Sequence, residues 1–431
     1  MMDISSQNFI GIKIYKFRND DRRNRVTMNR PTRIFFTVFF SFIALVILMV
    51  SILIGILTHR PELEPNWSYS GFHKRYQLSD GSFAIGWLDL DGNRYYFDED
   101  ANLVTGWFTL DGLRYYSDAD GVLQIGWFTL DEQRYYSDFD GAVQTGFQDI
   151  EGKSYYFDVQ GIMQTGWFTL DEKKRFATQT GELLRGWLHW EENLYYFTTD
   201  YVMATGEIEI DGILRTFESD GRMSQKIEGI DVSQHQGVID WDQVKASEQV
   251  DFVMIRAAFG NSNMEQEDDQ FQYNFEQARR NQIPIGLYHY SYALTAQEAV
   301  MEAELCLSVM ERVGVTPQDL SLPIAFDVED PKMESLSKEE LTEIIRGFCD
   351  TIKSAGYEVM IYSNNHWLSN KLDLDALSDY PIWMAQYYLS PTFYNMKLVD
   401  MWQYTSEGQV DGISKNVDRN ILFDGSILKQ E

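Results

Sequence analysis

Residues 322–331 read LPIAFDVEDP. An apolar run climbs to Phe326 and then meets Asp327, Glu329 and Asp330, and Pro331 closes the stretch. Two readings compete. In one, a strand ends in solvent and Asp330-Pro331 opens a turn. In the other, the strand tip presents catalytic carboxylates. Side chains alternate along a strand, so Asp327 and Glu329 share one face while Phe326 and Val328 share the other.

The surroundings favour the second reading. From 226 to 431, short apolar runs alternate with helical patterns. Residues 227–232, 251–259, 283–290, 322–328, 358–363, 380–387 and 398–404 read as strands. Thr295 with Glu298 and Ser337 with Glu340 have capping-box spacing, and Gly314 and Gly356 mark the two helix ends. Alternating β and α predicts a parallel sheet closed into a barrel, whose chemistry lies at the C-terminal strand ends. Asp327 and Glu329 sit at one such end. Asp231 ends the first strand, and Asp418 lies in VDRN near the last segment. Crowded carboxylates raise one another's pKa, which keeps one protonated for acid catalysis.

The rest of the chain sets the context. The 431 residues carry a formal net charge of −30, yet the first 33 hold eight Lys and Arg against three Asp. The strongly acidic remainder argues against nucleic-acid binding. Residues 34–57, IFFTVFFSFIALVILMVSILIGIL, carry no charge and are long enough for a transmembrane helix. Lys13, Lys16, Arg18, Arg22, Arg23, Arg25, Arg30 and Arg33 precede it, so the positive-inside rule places 1–33 in the cytoplasm and the remainder outside. The expectation is an uncleaved signal anchor in the cell membrane. The alternative is a cleaved signal and a secreted, wall-associated protein. Cys306 and Cys349 are the only cysteines, fall in helix-like stretches and read as core, a single bond between them being the alternative. No HExxH, paired-cysteine or GxSxG motif is present, and the residues imply neither a metal nor a cofactor.

After a linker at 58–81, residues 82–225 repeat with a period of 20: TGWFTLDGLRYYSDADGVLQ (105–124) is followed by IGWFTLDEQRYYSDFDGAVQ (125–144). Each unit reads as a β-hairpin about a two-residue turn such as Asp111-Gly112. A lone hairpin is not stable, so the units must stack. The recurring rings are Trp87, Trp107, Trp127, Trp167 and Trp187, with Tyr95, Tyr115, Tyr135, Tyr155 and Tyr195 leading the second strand's aromatic pair. Rings between hairpins serve packing or the binding of sugars and quaternary ammonium groups.

These units resemble the cell-wall-binding repeats of choline-binding and glucan-binding proteins. That resemblance implies a wall polymer as partner: glycan, teichoic acid or choline. An aromatic commonly precedes the Tyr-Tyr pair in that family. Here the position is Arg94, Arg114, Arg134, Ser154, Lys174, Leu194 and Leu214, which favours a wall glycan or anionic polymer over choline.

GIDVSQHQGVIDW (229–241), GLYHYSY (286–292), AFDVED (325–330), IYSNNHW (361–367), PIWMAQY (381–387) and MWQYTSEGQVDG (401–412) together resemble a glycoside hydrolase family 25 lysozyme. The resemblance implies an irregular (β/α)5β3 barrel over 226–431. It also implies cleavage of the β-1,4 bond between N-acetylmuramic acid and N-acetylglucosamine in peptidoglycan. Carried onto this chain, Glu329 is the general acid. Asp327 stabilises developing charge or orients the acetamido group, and Asp231 and Asp418 complete the acidic cluster. Tyr288, Tyr290, Tyr362, Trp383 and Trp402 line the sugar trough, with Arg256 and Gln403 as hydrogen-bond donors. The nucleophile is either a protein carboxylate or the substrate's own acetamido oxygen. Where the family reads Lys-Ala-Thr-Glu-Gly, this chain reads RAAFG at 256–260, a change at a subsite contact. The rival from another class is a non-catalytic adhesin or tethering protein with a retired barrel, against which the four intact acids speak.

Overall fold

The structure, a computed structural model, describes residues 30–58, 65–260, 266–393, 395–423 and 425–429. The basic residues expected on the cytoplasmic side before Arg30 lie outside the described residues. The chain divides into two compact units: Met1–Trp127 with Ser137–Val143, and Phe128–Tyr136 with Gln144–Glu431.

In the first unit, α1 (Arg30–Thr58) is a helix of 29 residues. The side chains described on it, those of 39–54, are all exposed. Among the described residues no helix is long and apolar enough to cross a membrane. The reading of 34–57 as a membrane span therefore rests on the sequence.

The hairpins begin earlier than the repeat signature. β1 (Asn66–Ser70) and β2 (His73–Gln77) form one within the stretch read as a linker. It escapes the pattern because Asn66 replaces the leading Gly and Gly71-Phe72 replaces Asp-Gly. The next units are β3 (Gly86–Leu90) with β4 (Asn93–Phe97), and β5 (Gly106–Leu110) with β6 (Leu113–Ser117). Asp111 and Gly112 both have positive φ, 52° and 81°, as a type I′ turn demands. The amides of Leu103 and Leu123 donate to the carbonyls of Lys74 and Arg94 at 2.8 Å, so each bond reaches back 29 residues and ties a unit to its predecessor. Gly121 (φ +88) lies close against Leu103: a Cβ there would be 2.4 Å from Leu103 Cδ2. Trp87 pairs across its hairpin with Tyr96, while Tyr95 points inward and is buried.

In the second unit the array continues through β9 (Gly146–Ile150) and β10 (Lys153–Phe157), β11 (Gly166–Leu170) and β12 (Lys173–Ala177), β13 (Gly186–Trp190) and β14 (Asn193–Phe197), and β15 (Gly206–Ile210) and β16 (Ile213–Phe217). β7 (Gly126–Leu130) and β8 (Gln133–Ser137) precede them.

A closed barrel follows, with strands in chain order: β17 (Ile227–Val232), β18 (Phe252–Phe259), β19 (Ile285–Tyr290), β20 (Ile324–Asp327), β21 (Val359–Asn364), β22 (Ile382–Ala385), β23 (Val399–Gly408) and β24 (Val417–Leu422). The first seven run parallel, and β24 closes the barrel antiparallel to both β23 and β17. Helices α2 (Trp241–Ser247), α3 (Phe271–Arg280), α4 (Ala296–Val313), α5 (Lys338–Ser354) and α6 (Asn365–Asn370) follow the first five strands. Ser337 and Glu340 form a full capping box, and Thr295 Oγ1 accepts from Glu298 N, but Glu298 reaches back to Leu294 N instead of closing its box. Cys306 and Cys349 are free and buried on α4 and α5.

Alternation sorts the barrel side chains. Ile324, Phe326 and Val328 pack outward with the helices, where Phe326 stacks on Phe348 of α5 at 4.2 Å. Ala325 joins Phe252, Met254, Met360, Trp383 and Met401 in a separate inner layer. Asp327 continues the inward row one step further up.

Candidate active site

The inward row ends in carboxylates. Asp231, Asp327, Glu329 and Asp418 line one cavity of about 200 Å³ with Arg256, Tyr288, Tyr290, Tyr362, Trp383, Tyr387 and Gln403. Asp231 and Asp418 are direct partners in the β17–β24 register. Asp327 stands at the tip of β20, and Glu329 follows it where the chain leaves the barrel. Four acids from three strand ends thus share one mouth.

Each acid is held differently. Asp231 Oδ2 accepts from Gln403 Nε2 at 2.8 Å and from Asn420 Nδ2 at 2.9 Å. Burial pushes its pKa well above the usual carboxylate range, Asp418 pushes it further, and the two amides pull it down. Asp327 is also buried, and its pKa is raised well above the ordinary value by burial and then by Glu329 and Asp231. Its Oδ1 is buried and meets no hydrogen-bond donor. Glu329 is half-buried; burial raises its pKa, and a long hydrogen bond from Asn364 Nδ2 (3.4 Å) opposes the rise. Asp418 is pushed up to about 6, chiefly by burial.

The neighbours fix this geometry. Gln403 Oε1 accepts from the hydroxyls of Tyr362 and Tyr387, each at 2.9 Å, which turns its NH2 towards Asp231. Trp383 Nε1 donates to Asn420 Oδ1 at 2.8 Å, which turns that amide's NH2 the same way. Arg256 Nε donates to buried Asp268 Oδ2 at 2.8 Å, and Asp268 also accepts from Gln234 N after β17. The Tyr290 hydroxyl donates to Asp330 Oδ2 at 3.3 Å. Glu329 and Tyr387 also line a wider opening of about 530 Å³ with Asn364, His366 and Tyr388.

Trp402 does not join the trough. It is fully buried on the outward face, its Nε1 donates to Gln386 O at 2.9 Å, and its ring stacks near Phe423. Its neighbour Gln403 faces inward, so alternation sends Trp402 out. Conversely, Tyr387 and Asn420 belong to the site though neither was singled out from sequence. Tyr387 lies in step with Trp383 and Ala385, and Asn420 in step with Asp418. Asp268 had no signal, since it lies in irregular chain before α3.

In the repeats, the rings divide by face. Tyr95, Tyr115, Tyr135 and Tyr155 are buried inside the stack, and Tyr195 is half-buried. Trp87, Trp107, Trp127 and Trp167 are half-buried. Trp87 and Trp107 lie 4.9 Å from Tyr96 and Tyr116, the second member of each Tyr pair. Trp187 is only 4 % exposed and stacks on Phe423, just past β24, at 4.9 Å, so it faces the barrel and is closed to a wall polymer.

Known proteins share these parts. The family described as "Glycosyl hydrolases family 25" matches residues 230–413. "Choline-binding repeat" matches 144–185, and "Putative cell wall binding repeat" matches 85–100 and 105–123. Lysozyme M1 of Streptomyces globisporus is 30% identical over 212 residues, 47% of this chain and 69% of that protein. Uncharacterized protein YegX of Escherichia coli (strain K12) is 30% identical over 212 residues, 47% of this chain and 72% of that protein. Among solved structures, the modular autolysin LytC from Streptococcus pneumoniae is similar at 24% identity with a TM-score of 0.43, over 83% of this chain and 86% of that one.

Proposed function

The chain belongs to glycosyl hydrolases family 25, and from that premise we propose how its residues divide the work of a wall-directed muramidase. It is a peptidoglycan hydrolase of the lysozyme type, which cleaves the β-1,4 bond between N-acetylmuramic acid and N-acetylglucosamine, and its repeats bind the cell wall. The observation that carries the reading is the meeting of Asp231, Asp327, Glu329 and Asp418 in one mouth.

Glu329 is the general acid. It alone of the four lines both the deep cavity and the wider opening, so a departing sugar can receive its proton and leave. Burial favours its protonated form at the start of the reaction. Asp327 lies deeper, and its unpartnered Oδ1 is an acceptor for the N–H of the substrate's acetamido group. With that N–H held, the acetamido oxygen is aimed at the anomeric carbon, and charge developing there faces Asp327 and Asp231. Asp418, beside Asp231 on the neighbouring strand, adds to the negative field of the mouth. Tyr288, Trp383 and Tyr362 form the floor, with Trp383 edge-on to the other two rings.

Residues 34–57 are an anchor that holds the enzyme at the outer surface of the cell membrane. Their 24 uncharged residues and the eight basic residues before them support this. External protease on wall-stripped cells should remove everything beyond about residue 60; protection of the barrel would overturn the orientation.

The test of the acid is Glu329→Gln. A half-buried, nearly isosteric change should leave the fold intact and lower muropeptide release from purified sacculi by about 10²–10⁴-fold. Retention of most activity would refute the assignment.

A further inference from the structure

A second cleft, of about 1230 Å³, opens beside the mouth. Tyr387 is a wall of both: its hydroxyl donates to Gln403 in the mouth, and its ring borders the cleft beside Tyr388 and Leu389, all three about half or more exposed. The β13–β14 hairpin lines it as well, with His189 and Glu192, and His189 N donates to Leu389 O at 2.7 Å.

The cleft is acid-rich, five carboxylates against two cations. Both cations are already engaged: Lys226 Nζ lies 2.5 Å from Glu228 Oε2, and Arg419 Nη2 lies 2.9 Å from Glu228 Oε1. Asp251 accepts from the backbone N–H of Glu228. Glu192, Glu248 and Glu407 remain exposed, with no cation partner among the described residues. A second feature is independent of the acids. His189 is 91 % buried by its 9 % relative exposure, and its Nε2 meets no hydrogen-bond partner. A ring nitrogen of His189 lies within 4.8 Å of carboxylate oxygens of Glu192 and Glu228. Burial and then Lys226 lower its pKa to about 4, so the ring is neutral at pH 7. A buried polar atom without a partner is costly and marks where a ligand's polar group fits. A metal ion suits the place poorly, because Lys226 and Arg419 already flank Glu228.

We propose that this cleft is a subsite for the ammonium-bearing peptide stem of the peptidoglycan strand whose glycan lies in the mouth. The inference rests on the muramidase reading. A stem supplies what the cleft lacks: a side-chain ammonium group for the acidic rim of Glu192, Glu248 and Glu407, and peptide N–H or C=O groups for His189. Its apolar side chains fit Tyr388 and Leu389. Stems are attached to the same sugars that the mouth binds, so the shared wall at Tyr387 matches the covalent order of the substrate.

The test compares three substrates: native sacculi, sacculi whose stem amines are acetylated, and glycan strands stripped of stems by an amidase. For the full chain, kcat/KM on native sacculi should exceed that on acetylated sacculi by about 5-fold or more, a modest subsite preference. In the double variant Glu192→Gln, Glu407→Gln that ratio should fall towards one. Both residues are exposed, so a melting curve matching the parent's is expected. Equal rates of the parent on native and acetylated sacculi, or an unchanged ratio in the double variant, would overturn the subsite. Failure to cut any of the three, stripped strands included, would instead defeat the muramidase reading itself.

Discussion

Gln403 and Asp231, 172 residues apart in sequence, meet across the barrel mouth through a 2.8 Å hydrogen bond from Nε2 to Oδ2. The two tyrosine hydroxyls on Gln403 Oε1 leave its amide only this orientation. Gln403→Glu keeps the shape and the two acceptor contacts but sets a second carboxylate against Asp231. Taking this donor from the buried Asp231 Oδ2 costs about 1–3 kcal/mol, so kcat on sacculi should fall by about 5–10²-fold with the fold retained. Reducing-end release by the purified variant checks this; an unchanged kcat would show that Asp231 needs no fixed donor.

Asp327 sets activity against stability. Its folded-state pKa is raised well above the ordinary carboxylate value, as is that of Asp231, and Asp418 is raised to about 6. Between the ordinary range and these raised values the native state holds more protons than the unfolded chain. The stability due to these groups is therefore present at low pH and lost as pH rises through about 6 and beyond. Asp327→Asn removes one ionisation and relieves its neighbours. It should abolish most lytic activity yet raise Tm by on the order of a few degrees at pH 7.5, and by less at pH 4. Melting curves at the two pH values decide it: a lower Tm at pH 7.5 would mean that Asp327 stabilises the fold.

Much of the barrel was legible because its strands are short apolar runs and its acids follow strict alternation. Asp327 and Glu329 could be assigned to the mouth from residue parity alone. The same parity, applied to Trp402 and Gln403, separates them, and it would have added Tyr387 and Asn420. Sequence could not show that Asp268 grips Arg256, because irregular chain has no period. In the repeats, the period revealed the hairpins but not which ring of each Tyr pair faces out. The stack also turns Trp187 towards the barrel, a change of duty that its Gly-Trp signature conceals.

Trp187 and Trp107 occupy equivalent repeat positions and should fail differently. Trp187 packs on Phe423 and Tyr196 and is nearly inaccessible, so Trp187→Ala should cost about 3–5 kcal/mol of stability. Trp107 is half-buried beside Tyr116, so Trp107→Ala should mainly weaken binding to insoluble wall. Urea unfolding and wall pull-down of both variants test the contrast. Equal stability losses would mean that both rings serve packing alone.

The Trp faces of the repeats already carry cations. The guanidinium of Arg114 lies 3.7 Å from the Trp107 ring centre and that of Arg94 lies 4.9 Å from Trp87, while Lys74 Nζ lies 4.3 Å from Trp67. Phe108 stacks against both Tyr96 and Tyr115, at 5.2 and 5.3 Å, and fills the gap between neighbouring hairpins. A quaternary ammonium group would have to displace an internal cation to gain about 0.5–2 kcal/mol of cation–π attraction. A polyanion gains little either, because Arg94 already lies within 3.5 Å of Asp89 and Asp140. The expected partner is therefore a neutral wall glycan, held against the half-buried Trp rings, rather than choline or teichoic acid. Tryptophan fluorescence of the full chain should therefore respond saturably to soluble glycan fragments and remain flat with choline at low millimolar concentration. Arg114→Tyr, which supplies the missing ring and removes the competing charge, should gain a choline response. Saturable choline binding by the parent chain, with no response to glycan, would reverse this assignment.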